Sequence, residues 1–197
     1  MKDRFEQRLA ERASGVVHRA APFPIGRRSL AAALAAALPA FPALACAISD
    51  PVPLPKPSGP SLLSVSGRIR CTNAHASAIF DRAMLQALGT AAITTRTPWY
   101  NGPVQFEGVP MVRLMDAVGA EGEKVTAVAL NDYSMDIPLS DFTRFRVLLA
   151  MLRDGAPMPA NERGPLFIVY PYDADSALRS PLYYGRSVWS VAQLIVR

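Results

Sequence analysis

The 197 residues include only two histidines and two cysteines, and their placing supports neither metal ligation nor covalent catalysis. His18 stands ahead of an apolar Ala/Leu run, and His75 is alone, without a partner at metal-ligand spacing or a Ser/His/Asp arrangement around it. Of the thiols, Cys46 falls at the end of that apolar run. A chain cut after Ala47 keeps only Cys71, so it forms no internal disulfide, and Cys71 reads as a small buried hydrophobe. What remains for chemistry is aromatic and guanidinium. Trp99, in a loop between Pro98 and the pair Asn101-Gly102, is the large ring best placed to meet a ligand.

The leader must be set aside before the rest can be weighed. Leu30 to Ala47 is an Ala/Leu run behind Arg27 and Arg28 and ends in small residues, the pattern of an export signal with a mature start between Cys46 and Ile48. Pro39 and Pro42 interrupt the run and argue against a stable membrane helix. Arg27-Arg28 reads either as a twin-arginine signal or as an ordinary positive flank, and Cys46 is the residue that a lipoprotein signal would modify. Residues 1–47 carry seven Lys/Arg and three Asp/Glu, whereas residues 48–197 carry fourteen and thirteen. The mature domain is therefore nearly neutral, which removes the clustered charge that nucleic-acid binding draws on.

Residues 49–60 hold five prolines in twelve positions and read as an extended tether, with the domain beginning near Leu62. Leu62 to Arg70 alternates as a strand, and Ser77 is placed to cap a helix with Phe80, Met84, Leu85 and Leu88 on one face. Ala92–Thr97 and Val104–Val109 read as extended, Pro110 opens a helix through Val118, and Val125–Leu130 leads through a turn at Asn131-Asp132 to a short strand ending at Ile137. Val147–Leu152 is continuously apolar, Leu166–Tyr170 is a buried strand stopped by Pro171, and Ser187–Val196 alternates as the last strand. Short strands mixed with a few helices, without regular βαβ alternation, predict an α+β fold.

Four stretches carry a family resemblance: TRTPWYNGPVQFEGVPMVRLMDAVGA (95–120), ALNDYSMDIPLSDF (129–142), LRDGAPMPANERGPLFIVYP (152–171) and YYGRSVWSVAQLIV (183–196). In this order they resemble the sulfite-oxidase-like, molybdopterin-binding oxidoreductases, over residues 62–197. The resemblance implies a mixed α+β molybdopterin-binding fold and a pterin pocket. It also puts Thr95, four residues before Trp99, in the slot where family enzymes ligate molybdenum through a cysteine. A threonine hydroxyl does not replace a thiolate as a soft ligand, so molybdenum is not expected. Cys71 lies 24 residues earlier than Thr95.

A pterin pocket needs ring faces and a few edge-on donors and acceptors. The resemblance implies Trp99, Tyr133, Tyr172 and Trp189 as the rings, Arg96, Arg163 and Arg186 as forked donors, and Asp132 as the acceptor for an amino-pyrimidine edge. Trp189, on a terminal alternating strand, reads equally as core. Small cysteine-lacking proteins of this type are similar to periplasmic pterin sensors acting on the periplasmic domain of a membrane-bound enzyme that makes or degrades cyclic di-GMP. That implies a periplasmic, non-catalytic pterin-binding protein. The alternatives are a molybdopterin-dependent oxidoreductase with an atypical metal ligand, or a structural redox-chain subunit.

Overall fold

Alternation of buried and exposed side chains, enforced by pairing, builds the strands of the computed structural model, which describes residues 53–197. The Arg27-Arg28 pair, the Ala/Leu run, Cys46 and the start of the Pro-rich stretch lie outside the described residues. In chain order come β1 (Leu63–Gly67), β2 (Ser77–Phe80), α1 (Arg82–Ala87), β3 (Ala91–Arg96), β4 (Pro103–Pro110) and α2 (Met111–Val118). These are followed by β5 (Lys124–Ala129), β6 (Ser134–Pro138), α3 (Leu139–Phe145), β7 (Leu148–Arg153) and β8 (Ala156–Pro157). β9 (Phe167–Val169), α4 (Pro181–Arg186) and β10 (Val191–Val196) complete it.

Two sheets result, and the α+β expectation holds. One has the order β2-β1-β10-β5-β6, with β1 parallel to the final strand β10 and the other pairs antiparallel. The second runs β3-β4-β7-β8, and β9 also pairs with β7. Leu63, Val65, Phe80, Val125, Ile137 and Leu194 are all buried in the core, as are Phe106, Leu148, Leu149 and Ile168. Each such side chain contributes on the order of 2 kcal/mol relative to exposure. Helix α2 follows from its sequence: Met111, Leu114, Met115 and Val118 fall on one buried face. Gly119 ends it in the left-handed conformation at φ 58, a backbone state that glycine enters without a Cβ penalty.

Three elements differ from the sequence reading. Ser77 does not cap a helix: Ser77–Phe80 pairs with β1, and the cap is Asp81, whose carboxylate accepts from the Met84 N–H at 2.8 Å. A carboxylate at that position binds the free amides of the first turn and starts the helix four residues later than Ser77 would. Second, α3 and α4 stand where no helix was expected; α4 begins on Pro181, whose fixed φ suits the first helical turn. Third, the C-terminal part of the expected tether is fastened down. Asp81 also accepts from the Ser58 and Gly59 N–H groups, each at 2.8 Å, and Leu54 packs against the core.

Candidate functional site

The loop after β3, the β5–β6 turn and the segment from α4 to β10 meet around a cavity of about 290 Å³. Trp99 comes from the first, Asn131 and Tyr133 from the second, and Tyr184, Gly185, Ser187, Val188 and Trp189 from the third. Trp99 stands edge-on to Trp189 at 5.6 Å and to Tyr184 at 6.0 Å between ring centroids. In such a pair the edge of one ring packs on the face of the other, so the rings brace one another as the wall of the cleft. Tyr133 closes one side by donating its hydroxyl to the Gly185 carbonyl at 3.2 Å. The Asn131 side chain accepts from the Tyr133 N–H at 3.3 Å, which leaves its NH₂ group to donate. Among the described residues, no charged side chain lines this cleft.

Behind the cleft lies a layer whose polar groups are spent on one another. Tyr172 is buried 6.3 Å behind Trp99, and its hydroxyl bonds to Ser187 Oγ, which donates to the Tyr183 carbonyl at 2.9 Å. Tyr170 donates to Asp141 Oδ2 at 2.8 Å, and Arg186 Nη1 meets the same oxygen at 2.8 Å. Burial pushes both phenols well above the ordinary tyrosine range, and for Tyr170 the bond to Asp141 adds to it. Both are fixed as protonated donors, so neither is a base.

A second cavity, of about 450 Å³, adjoins the cleft and shares Asn131 and Trp189 with it. Arg163 lines it, together with Asn161 and Ser190. The Arg163 guanidinium lies 5.1 Å from the centroid of the Tyr100 ring and 5.6 Å from that of Trp189.

Comparison with known proteins decides the family. The sequence model of the oxidoreductase molybdopterin-binding domain matches residues 65–174, more than half of the chain. The chain belongs to that family. Among solved structures it is similar to the sulfane dehydrogenase SoxCD from Paracoccus pantotrophus, with a TM-score of 0.50 and 17% identity, a likeness of fold. The match covers 68% of this chain and 37% of that one, so the chain spans well under half of that relative's length. No curated protein sequence matches the chain.

Within this molybdopterin-binding domain, the expected site residues divide. Trp99, Tyr133 and Trp189 line the cleft and Arg163 the adjoining cavity, whereas Tyr172 backs the cleft from the interior. Trp189 is not core: it is 38% exposed and precedes β10, because Ser190 turns through a left-handed φ of 52 and the strand starts only at Val191. Asp132 lines neither cavity. It occupies the left-handed position of the turn at φ 64, and its neighbour Asn131 faces the cleft instead. Arg186 is held by Asp141 and lines neither cavity either. Arg96 is 3.6 Å from Asp173, which also accepts from the Arg96 N–H and pairs with Arg179.

Thr95 is fully buried, and its hydroxyl accepts from the Asp173 N–H at 3.0 Å. Cys71 is half-buried at the far end of α2, where its N–H donates to the Val118 carbonyl. Sequence reasoning missed Asn131, Tyr184 and Ser187. Tyr184, beside the resemblance-bearing Arg186, carried the clearest available signal, an aromatic pair after Pro181.

Proposed function

We propose that this chain is a periplasmic, non-catalytic pterin-binding protein of the molybdopterin-binding family. It reports ligand state to the periplasmic domain of a membrane-bound enzyme that makes or degrades cyclic di-GMP. The observation that carries the binding reading is the uncharged aromatic cleft of Trp99, Tyr184 and Trp189, with Asn131 at its edge. Its volume and aromatic lining suit a fused heterocycle, and the Asn131 amide offers the donor that a pyrimidine edge accepts.

Thr95, at the slot where the resemblance expects a metal-ligating cysteine, does not fit molybdenum. Thr95 Oγ1 is engaged with the Asp173 amide, and a hydroxyl is a hard ligand where that metal is held by soft ones. The pterin would therefore be the signal itself, held by stacking, and the chain's residues would orient it and exclude water. Export is supported by the Arg27-Arg28 and Ala/Leu pattern, and the partner by resemblance to cysteine-lacking sensors. Calorimetric titration of the full chain with dihydropterins tests the reading, and elemental analysis of protein from the cell envelope tests the metal. The expected result is saturable pterin binding with molybdenum well below one atom per chain. One-to-one molybdenum together with sulfite or sulfoxide turnover establishes the competing oxidoreductase reading, which family membership favours.

A further inference from the structure

The second sheet ends on a strand that pairs on one side only. Strand β3 bonds to β4 and stands last in the order β3-β4-β7-β8. Its register fixes which backbone groups face outward. Thr94 lies opposite Gln105, whose N–H donates to Asp154 Oδ1 at 3.0 Å and whose carbonyl accepts from the Asp154 N–H at 2.8 Å, both away from β3. In an antiparallel ladder such a pair exchanges no bonds, so the N–H and C=O of Thr94 point out from the edge, and those of Ala92, two residues back, do the same. Arg96, two residues on, follows the alternation: its outward N–H donates to Asp173 at 2.8 Å. Ala92 and Thr94 are exposed, and no strand among the described residues takes up their outward groups. Edges are ordinarily blunted by charge or proline, and Ala91–Thr95 carries neither.

A cavity of about 480 Å³ lies beside this edge. Ala91 and Ile93 of β3 line it together with Val112, Phe142 and Leu148. Among the described residues its charged lining is Arg113 and Arg146, and neither forms an ion pair. Arg113 reaches the Leu88 carbonyl at 3.5 Å, just ahead of β3. A strand added to β3 would set every second side chain on the face of Ala91 and Ile93, over apolar surface and two unneutralised guanidinium groups. We propose that the β3 edge is the docking site for an extended segment of a partner protein, which extends the sheet and turns apolar and acidic side chains onto this cavity. Other occupants fit worse. A second copy paired through the same edge would gather like charge on one face, and the Pro-rich stretch 49–60 lacks an N–H at five of its twelve positions. The proposal stands independently of the pterin reading.

The test titrates the full chain, by fluorescence polarisation, with a short labelled peptide that alternates Thr with Val, Val, Glu and Glu. Two control peptides accompany it, one with Lys for Glu and one with the backbone N-methylated at alternate residues. At low salt the Glu peptide should bind about tenfold or more tightly than the Lys peptide, and the N-methylated peptide should not bind. The double variant Arg113→Met, Arg146→Met should lose the preference for Glu with its melting temperature unchanged. Thr94→Pro removes an outward N–H that β4 does not use, and it should abolish binding. Slowed hydrogen exchange at the Ala92 and Thr94 amides of the unaltered chain, on adding the Glu peptide, reports strand addition without any variant. Failure of the Glu peptide to bind, equal binding of the Lys peptide, or undiminished binding of the N-methylated one overturns the proposal. Self-association of the chain that Thr94→Pro abolishes overturns it too, by giving the edge to a second copy.

Discussion

Two arginines of this protein rest against tyrosine rings at almost the same distance, Arg186 at 5.4 Å from the Tyr183 ring and Arg163 at 5.1 Å from that of Tyr100. Their circumstances are opposite. Arg186 is 17% exposed, pairs with Asp141 at 2.8 Å, and shares that acid with the Tyr170 hydroxyl. It fastens α4, which carries Tyr184 and Gly185 of the cleft wall, to α3, which carries Asp141. Arg163 has no acidic partner among the described residues and lines a cavity. The difference teaches that the type of side chain does not assign a ligand role here. The presence of a buried acid does, because a guanidinium already neutralised has little left to offer a guest.

The largest effect should come from breaking the spent pair. Asp141→Ala leaves Arg186 and the Tyr170 hydroxyl without their common acceptor and should cost about 3–5 kcal/mol in urea denaturation. A loss below about 1 kcal/mol would show that the pair does not anchor the wall. Next, Trp99→Ala should cost about 3 kcal/mol, since that ring is packed edge-on by Phe167 at 5.4 Å and by Tyr172, Tyr184 and Trp189. Trp189→Ala sharpens the contrast. At 38% exposure it should lose only about 1–2 kcal/mol of stability while dihydropterin affinity falls about tenfold. Unchanged affinity in that variant, measured by calorimetry, would move the ligand out of the cleft.

The smallest expected effect concerns another engaged acid. Asp81 binds the Met84, Gly59 and Ser58 amides, and those hydrogen bonds lower its pKa from the ordinary 3.8 to about 2. A depressed carboxylate stabilises the fold above its unfolded pKa, and that contribution disappears as pH falls through the folded value. Melting curves should therefore show a loss between about pH 4 and pH 2 that is absent in Asp81→Asn. A loss of the same size in the variant would assign the acid sensitivity to other carboxylates.

Much of the frame was legible because it is local. The alternation of β1 and of β5, the apolar run of β7, and the helix opened at Pro110 and closed at Gly119 are all written in neighbours two to four residues apart. The first three of the four motifs fall within the residues that the family model matches. At Ser77 local logic failed, since two residues able to cap a helix lie four apart and pairing with β1 decided between them.

The site was legible in its residue types and not in its assignments. Sequence alone pointed to aromatic rings and arginines in place of His or Cys clusters, and put Thr95 where the resemblance expects a thiolate. Only the tertiary structure decided that Asn131 and not Asp132 faces the cleft, that Trp189 is a wall and not core, and that Arg186 is spent while Arg163 is not. The physical reason is separation along the chain. Asp141 lies 45 residues from Arg186 and Asp173 lies 78 from Thr95, and a pairing across such distances is chosen by how the two sheets pack, which no local periodicity encodes.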